Sequence, residues 1–173
     1  MMPCDEKMDE IWELLAKTNA PKLDNIEEVR EYTAAITKLI YDYKMIGLIY
    51  GLYTADVEYH KQSGIEMHTP DEIARQITEF TAEFPNLTAE IQNIIVHQES
   101  PEFYKVWRRC LLRGNNLRFS PQGPATGKSL GEHCLNLTMF YLRKINGEWK
   151  ITFEVNSDCE SLISEAKRGE AEA

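Results

Sequence analysis

Part-way along this chain the spacing of its apolar residues changes, and that change limits the possible folds more than any other feature. Up to Phe84 they recur every three or four positions except in one short alternating stretch; from Leu87 onward they alternate. Ile11, Leu14 and Leu15 predict a short helix over 5–17, ended by Thr18-Asn19-Ala20-Pro21 because the residue before proline avoids the α region. Val29, Tyr32, Ile36, Leu39, Ile40 and Tyr43 form the stripe of a longer helix, capped by Asp24 or Asn25. A further helical piece covers Met45 to Tyr53, and Ala55 to His60 then alternates as a short strand does. Thr69-Pro70-Asp71-Glu72 opens another helix, with threonine as its cap and proline in its first turn, and Phe84 closes it.

Beyond that helix the chain reads as strand and turn. Leu87, Ala89, Ile91, Asn93, Ile95 and His97 are expected on one face of a strand, and Tyr104, Val106, Arg108, Cys110 and Leu112 on one face of the next. A third runs from about Leu130 to Lys144, and the turn pair Asn146-Gly147 joins it to Trp149 through Asn156. Helices followed by an antiparallel meander mean an α+β fold. The helices must cover one face of a strongly curved sheet, forming a cone with a central pocket. The expected division is a helical extension over 1–22, the cone over 23–163, and a flexible tail over 164–173.

Composition narrows the functional classes. The 173 residues carry a net charge of −9, which argues against nucleic acid as a partner, since phosphate binding needs a basic face. No apolar stretch is long enough to cross a bilayer. The four cysteines are scattered and form no CxxC pair, so no zinc site is expected. Two bridges are arithmetically possible in a secreted chain. The acidic start, Met1 to Glu6, has no apolar signal core, so reduced thiols and a cytoplasmic setting are expected instead.

Three stretches resemble a known family. They are Leu52-Tyr53-Thr54-Ala55-Asp56-Val57-Glu58-Tyr59-His60, then Leu112-Arg113-Gly114-Asn115-Asn116 with Pro124-Ala125-Thr126-Gly127-Lys128, and the hairpin Phe140 to Ile151. Together they resemble the SnoaL-like polyketide-cyclase branch of the nuclear-transport-factor-2-like cone. The resemblance implies a small-molecule pocket and often a homodimer; no cofactor is expected. Where many such domains carry a Glu-His-Trp-Asp-like run on the last strand, this chain has Ile151-Thr152-Phe153-Glu154.

Within such a cone, cyclase, isomerase or dehydratase chemistry works by moving protons next to a carbonyl. The alternative is a non-catalytic ligand-binding or dimerisation domain. His133 shares its alternation with Leu135, Leu137, Met139 and Tyr141, which places it on the expected packed face as a proton shuttle or as a satisfied strand-end histidine. Asp158 leaves the last strand beside the cavity, or caps the turn after it. Arg108, among apolar neighbours, needs acceptors: an anionic ligand, or an internal ion pair with Glu132 or Glu154. His97 ends the apolar face of Ile91 and Ile95; Asn93 lies on the same face and can orient a polar ligand atom, or be a buried amide bonded to backbone. Tyr59, Tyr141 and Phe153 can line a flat apolar or aromatic molecule, or simply fill the core. Glu154 is expected on a polar face, toward solvent or a dimer partner. Ile94, Val96, Phe140 and Leu142 are expected on that outward face and suggest the dimer.

Overall fold

The computed structural model describes residues 4–169. Helix α1 (Cys4–Thr18) packs on α2 (Ile26–Tyr41). Asn25 caps α2, its side chain accepting from the Glu28 amide at 3.0 Å. The α2 stripe of Val29, Tyr32, Ile36, Leu39 and Ile40 is buried against the sheet. A 3₁₀ turn (Ile46–Leu48) and α3 (Ile49–Leu52) lead into β1 (Tyr53–Lys61) and the short β2 (Glu66–Met67). Helix α4 (Pro70–Glu83) starts at the Thr69 cap that its sequence predicts, and the structure adds a reciprocal box between Thr69 and Glu72. Four long strands come next: β3 (Thr88–Ser100), β4 (Phe103–Arg113), β5 (Leu135–Ile145) and β6 (Glu148–Asp158). Helix α5 (Glu160–Lys167) is the last element.

The six strands form one curved sheet in the order β2-β1-β6-β5-β4-β3, with helices on its concave side. All neighbours are antiparallel except β1 and β6, which run parallel. That parallel pair departs from the expected all-antiparallel sheet. It arises because α4 carries the chain from β2 to β3 at the opposite edge of the sheet, and the meander β3-β4-β5-β6 then returns to lie beside β1.

Two bulges decide which residues face inward. Gln92 is the extra residue of β3, between the pairs Ile91↔Cys110 and Asn93↔Arg109. Thr152 is the extra residue of β6, between Ile151↔Leu142 and Phe153↔Tyr141. Because side chains alternate strictly, one inserted residue moves every later side chain to the opposite face. Ile94 and Val96 therefore pack into the main core, while Asn93, Ile95 and His97 point outward. On β6 Trp149 and Ile151 face inward, and beyond the bulge so do Glu154, Asn156 and Asp158.

The first part of the expected tail is more ordered than its composition predicts; residues 170–173 lie outside the described residues. Ala166 is buried in a second core with Phe84, Leu112, Leu130 and Cys134, and Lys167 pairs with Glu83. The Lys128 ammonium donates to the Arg168 carbonyl at 2.9 Å. Cys110, Cys134 and Cys159 are free thiols. Among the described residues no helix is long and apolar enough to cross a membrane.

Candidate active site

A cavity of about 250 Å³ opens between α4, α5 and the concave faces of β1 and β6. Tyr41 from the end of α2, Tyr59 and Lys61 from β1, and Ile77 from α4 form much of its wall. Asn156 and Asp158 close it from β6. Behind it lies a chamber of about 20 Å³, bordered by Tyr53, Arg108 and Glu154. That is room for about one water. Tyr41, Tyr59 and Ile77 line both spaces, so these three side chains are the partition between them.

Glu154 is 5% exposed and accepts a hydrogen bond from the Tyr53 hydroxyl at 2.6 Å. Burial pushes its carboxyl up to about 7, against the opposing pull of the Arg108 charge and the Tyr53 and Tyr59 hydroxyls. Burial, reinforced by the Glu154 charge, holds both tyrosine hydroxyls protonated well above their ordinary range. Asp158 differs in kind: its carboxylate pairs with Lys61 at 3.0 Å and accepts from the Asn136 amide at 2.8 Å. It does not cap α5, whose N-cap residue Cys159 makes no side-chain capping bond. The site thus holds one carboxyl with a salt-bridge partner and one kept near neutrality by burial.

Arg108 lies at the centre of a polar ladder. Its Nη1 donates to Thr37 Oγ1 at 2.8 Å, and its Nη2 to Thr138 Oγ1 at 3.0 Å and Asn136 Oδ1 at 3.2 Å. Its Cζ is 5.7 Å from the centre of the Tyr41 ring. No carboxylate among the described residues forms a salt bridge with it. This corrects both expected ion pairs. Glu132 is exposed in the β4–β5 loop, and Glu154 acts on Arg108 only through its field.

The structure keeps Tyr59, Arg108 and Asp158 of the expected site and disperses the others. His133 is exposed in the loop before β5, outside both spaces, and therefore cannot shuttle protons there. The inward face of β5 is Asn136, Thr138, Phe140 and Leu142, so Leu137, Met139 and Tyr141 point outward, opposite to expectation. Phe153, beside the β6 bulge, stacks on Tyr141 on that outer surface with ring centres 4.8 Å apart. Asn93 and His97 are exposed there too, with His97 Nε2 3.8 Å from Glu99. Glu154, expected outside, is inside. Asn136, Thr138, Asn156, Lys61 and Tyr41 join the site without having been singled out.

Among the described residues no three His, Cys, Asp or Glu side chains gather as metal ligands. No protein-family model matches the chain, and no curated protein matches it. Solved structures do. An NTF2-like protein with a cystatin-like fold from Novosphingobium aromaticivorans is 12% identical, with a TM-score of 0.51 over 82% of this chain and 99% of that one. A ketosteroid isomerase-like protein from Erwinia carotovora atroseptica is 22% identical, with a TM-score of 0.56 over 74% and 92%. The chain has the NTF2-like, cystatin-like fold. IdmH from Streptomyces antibioticus, a candidate polyketide cyclase, is also similar to it, at 16% identity and a TM-score of 0.57 over 78% and 96% of the two chains. In this NTF2-like cone the cavity, Glu154 and Asp158 all lie on the concave side, between sheet and helices. The fold alone leaves the chemistry open.

Proposed function

We propose that this chain binds a small carbonyl compound in its concave cavity and moves a proton next to the carbonyl, as an isomerase, cyclase or dehydratase does. The observation that carries the reading is Glu154, a buried carboxyl beside two tyrosine hydroxyls at the inner end of a cavity that Asp158 also lines. A buried carboxyl beside a salt-bridged carboxylate suits acid and base roles in one site. Asp158, at the cavity wall, is the base that takes the proton from carbon. Protonated Glu154 donates to the Tyr59 oxygen, and Tyr59 in turn donates its hydrogen to the developing enolate oxygen. Because Tyr59 belongs to the partition, this relay reaches the ligand without the ligand entering the inner chamber. The isomerase-like and cyclase-like names of similar structures agree with this class of reaction and do not choose within it.

The expected result is deuterium uptake next to the carbonyl when one- and two-ring ketones are incubated with the protein in D₂O and followed by proton NMR. Asp158→Asn should slow uptake by about 10²–10⁴-fold, the usual contribution of a positioned base. Exchange no faster than in buffer across the whole set would end the catalytic reading. The second reading, a binding or assembly domain, is favoured by the small inner chamber, which by itself suits a structural hydrogen-bonded acid.

We also propose that the convex sheet face makes a homodimer. Its exposed apolar residues are Ile95, Trp107, Leu137 and Val155, rather than the core-facing Ile94, Val96, Phe140 and Leu142. A contiguous patch of this kind needs a cover. Sedimentation velocity at micromolar concentration should give a dimer that Trp107→Glu splits; a wild-type monomer would refute it.

A further inference from the structure

The polar ladder on the floor of the cavity has a direction. At one end the Asp158 carboxylate, which can only accept, takes the Asn136 Nδ2 hydrogen at 2.8 Å. The Asn136 amide is thereby turned so that its oxygen faces Arg108 Nη2 at 3.2 Å and the Thr138 hydroxyl at 3.1 Å. Thr138 has one hydrogen and spends it on that oxygen. Its own oxygen must then accept, and it does so from Arg108 Nη2 at 3.0 Å and from Asn156 Nδ2 at 3.1 Å. The last amide of the ladder is fixed by its neighbours: nitrogen toward Thr138, oxygen free.

That oxygen is unusual. Asn156 is 2% exposed and lines the cavity, and its Oδ1 has no hydrogen-bond partner among the described residues. A buried acceptor left alone costs about 1–3 kcal/mol. The buried charges around it are mutually paired, Lys61 with Asp158 and Lys167 with Glu83, and the two other carboxylates of the lining, Glu79 and Glu160, are exposed at its rim, so the inner wall offers no unpaired charge to a ligand. At about 250 Å³ the space exceeds the roughly 150 Å³ of an engineered cavity that takes benzene.

Resting on the reading of this cavity as a ligand site, we infer that its ligand is an uncharged molecule of one or two rings bearing a hydroxyl or N–H that donates to Asn156 Oδ1. Asn156 is then a specificity residue, and Thr138 a positioning residue that keeps the amide from turning over. A methyl ether of the same ring system fits the volume and fails the polarity, because it has no hydrogen to give.

The test is titration calorimetry with 2-naphthol and 2-methoxynaphthalene. The wild-type protein should bind the naphthol about tenfold more tightly than the ether, the worth of one such hydrogen bond. Asn156→Leu should weaken the naphthol to the level of the ether while leaving the ether unchanged. Thr138→Val keeps Asn156 but frees its amide, and should shrink the preference. If Asn156→Leu does not fold, the wild-type preference and its loss in Thr138→Val decide the matter. Equal binding of both compounds by the wild type, or a preference that survives both substitutions, overturns the inference and leaves the cavity as a binding site. Failure of both compounds to bind the wild type removes that underlying reading, and the inference with it.

Discussion

Glu154→Gln is expected to make the protein more stable at pH 8 and to remove a pH dependence that the wild type shows below neutrality. An unfolded glutamate ionises near 4.5, whereas burial holds folded Glu154 to about 7. Between those two values the folded state keeps a proton that the unfolded chain has released. Stability therefore falls as pH rises through this window, present in full below 4.5 and lost by about 7. The shift corresponds to something on the order of 3 kcal/mol. Glutamine keeps the shape and an acceptor for the Tyr53 hydroxyl, and never ionises. Urea unfolding at pH 5 and pH 8 should show the two proteins close at the lower pH. At the higher one the variant should lead by on the order of 2–3 kcal/mol. Asp42, whose carboxyl burial also raises, contributes equally to both proteins and cancels in the comparison. An identical decline in the variant would place the pH dependence elsewhere and deny Glu154 its raised proton affinity.

Glu154 also shows where sequence reasoning stops. Helix starts were legible because their chemistry is local: the Asn25 cap and the Thr69–Glu72 box need only neighbouring residues. The inward face of β4 was legible because Tyr104, Val106, Cys110 and Leu112 alternate without interruption. The hairpin of β5 and β6 was legible from Asn146-Gly147, but its inward face was not. Counting back from Asn146-Gly147, Ile145 pairs with Glu148 and Leu142 with Ile151, and the same count would put Thr138 opposite Val155. The extra residue at Thr152 shifts the register so that Thr138 meets Asn156 and Asn136 meets Asp158. Nothing in the local composition announces that bulge. The outer face of β5, with Leu137, Met139 and Tyr141, is as apolar as a core face, whereas the true inner face carries Asn136 and Thr138 because it floors a polar site. Hydrophobic alternation therefore pointed the wrong way where polar side chains replace apolar ones on the inner face. His133 followed that misplaced face outward, and Asn93 and His97 were misplaced by the bulge at Gln92.

Arg108 should prove nearly dispensable for folding and indispensable for the site. Its charge is 7% exposed, has no salt-bridge partner, and leaves Nε without an acceptor, so its burial is costly. The groups it touches do not depend on it. Thr37 also donates to the Thr33 carbonyl at 2.7 Å, Asn136 Oδ1 still accepts from Thr138, and Thr138 still accepts from Asn156. Arg108→Met, which refills most of the volume, is expected to change stability by less than about 1 kcal/mol. Arg108→Ala leaves a hole and should cost about 2–5 kcal/mol more than the methionine variant. Glu154 responds in the opposite sense. The guanidinium is the largest influence opposing burial there, so removing it drives the carboxyl further upward. In Arg108→Met the fall in stability with pH should therefore continue past neutrality, and carbon-13 NMR should find Glu154 still protonated where the wild type has ionised. A methionine variant that unfolds, or one whose Glu154 titrates unchanged, would show that the arginine is structural after all. If both expectations hold, a costly buried cation is kept in this cone because it brings an acid that burial would otherwise hold protonated to higher pH back toward neutral pH, where that acid can exchange a proton with a ligand.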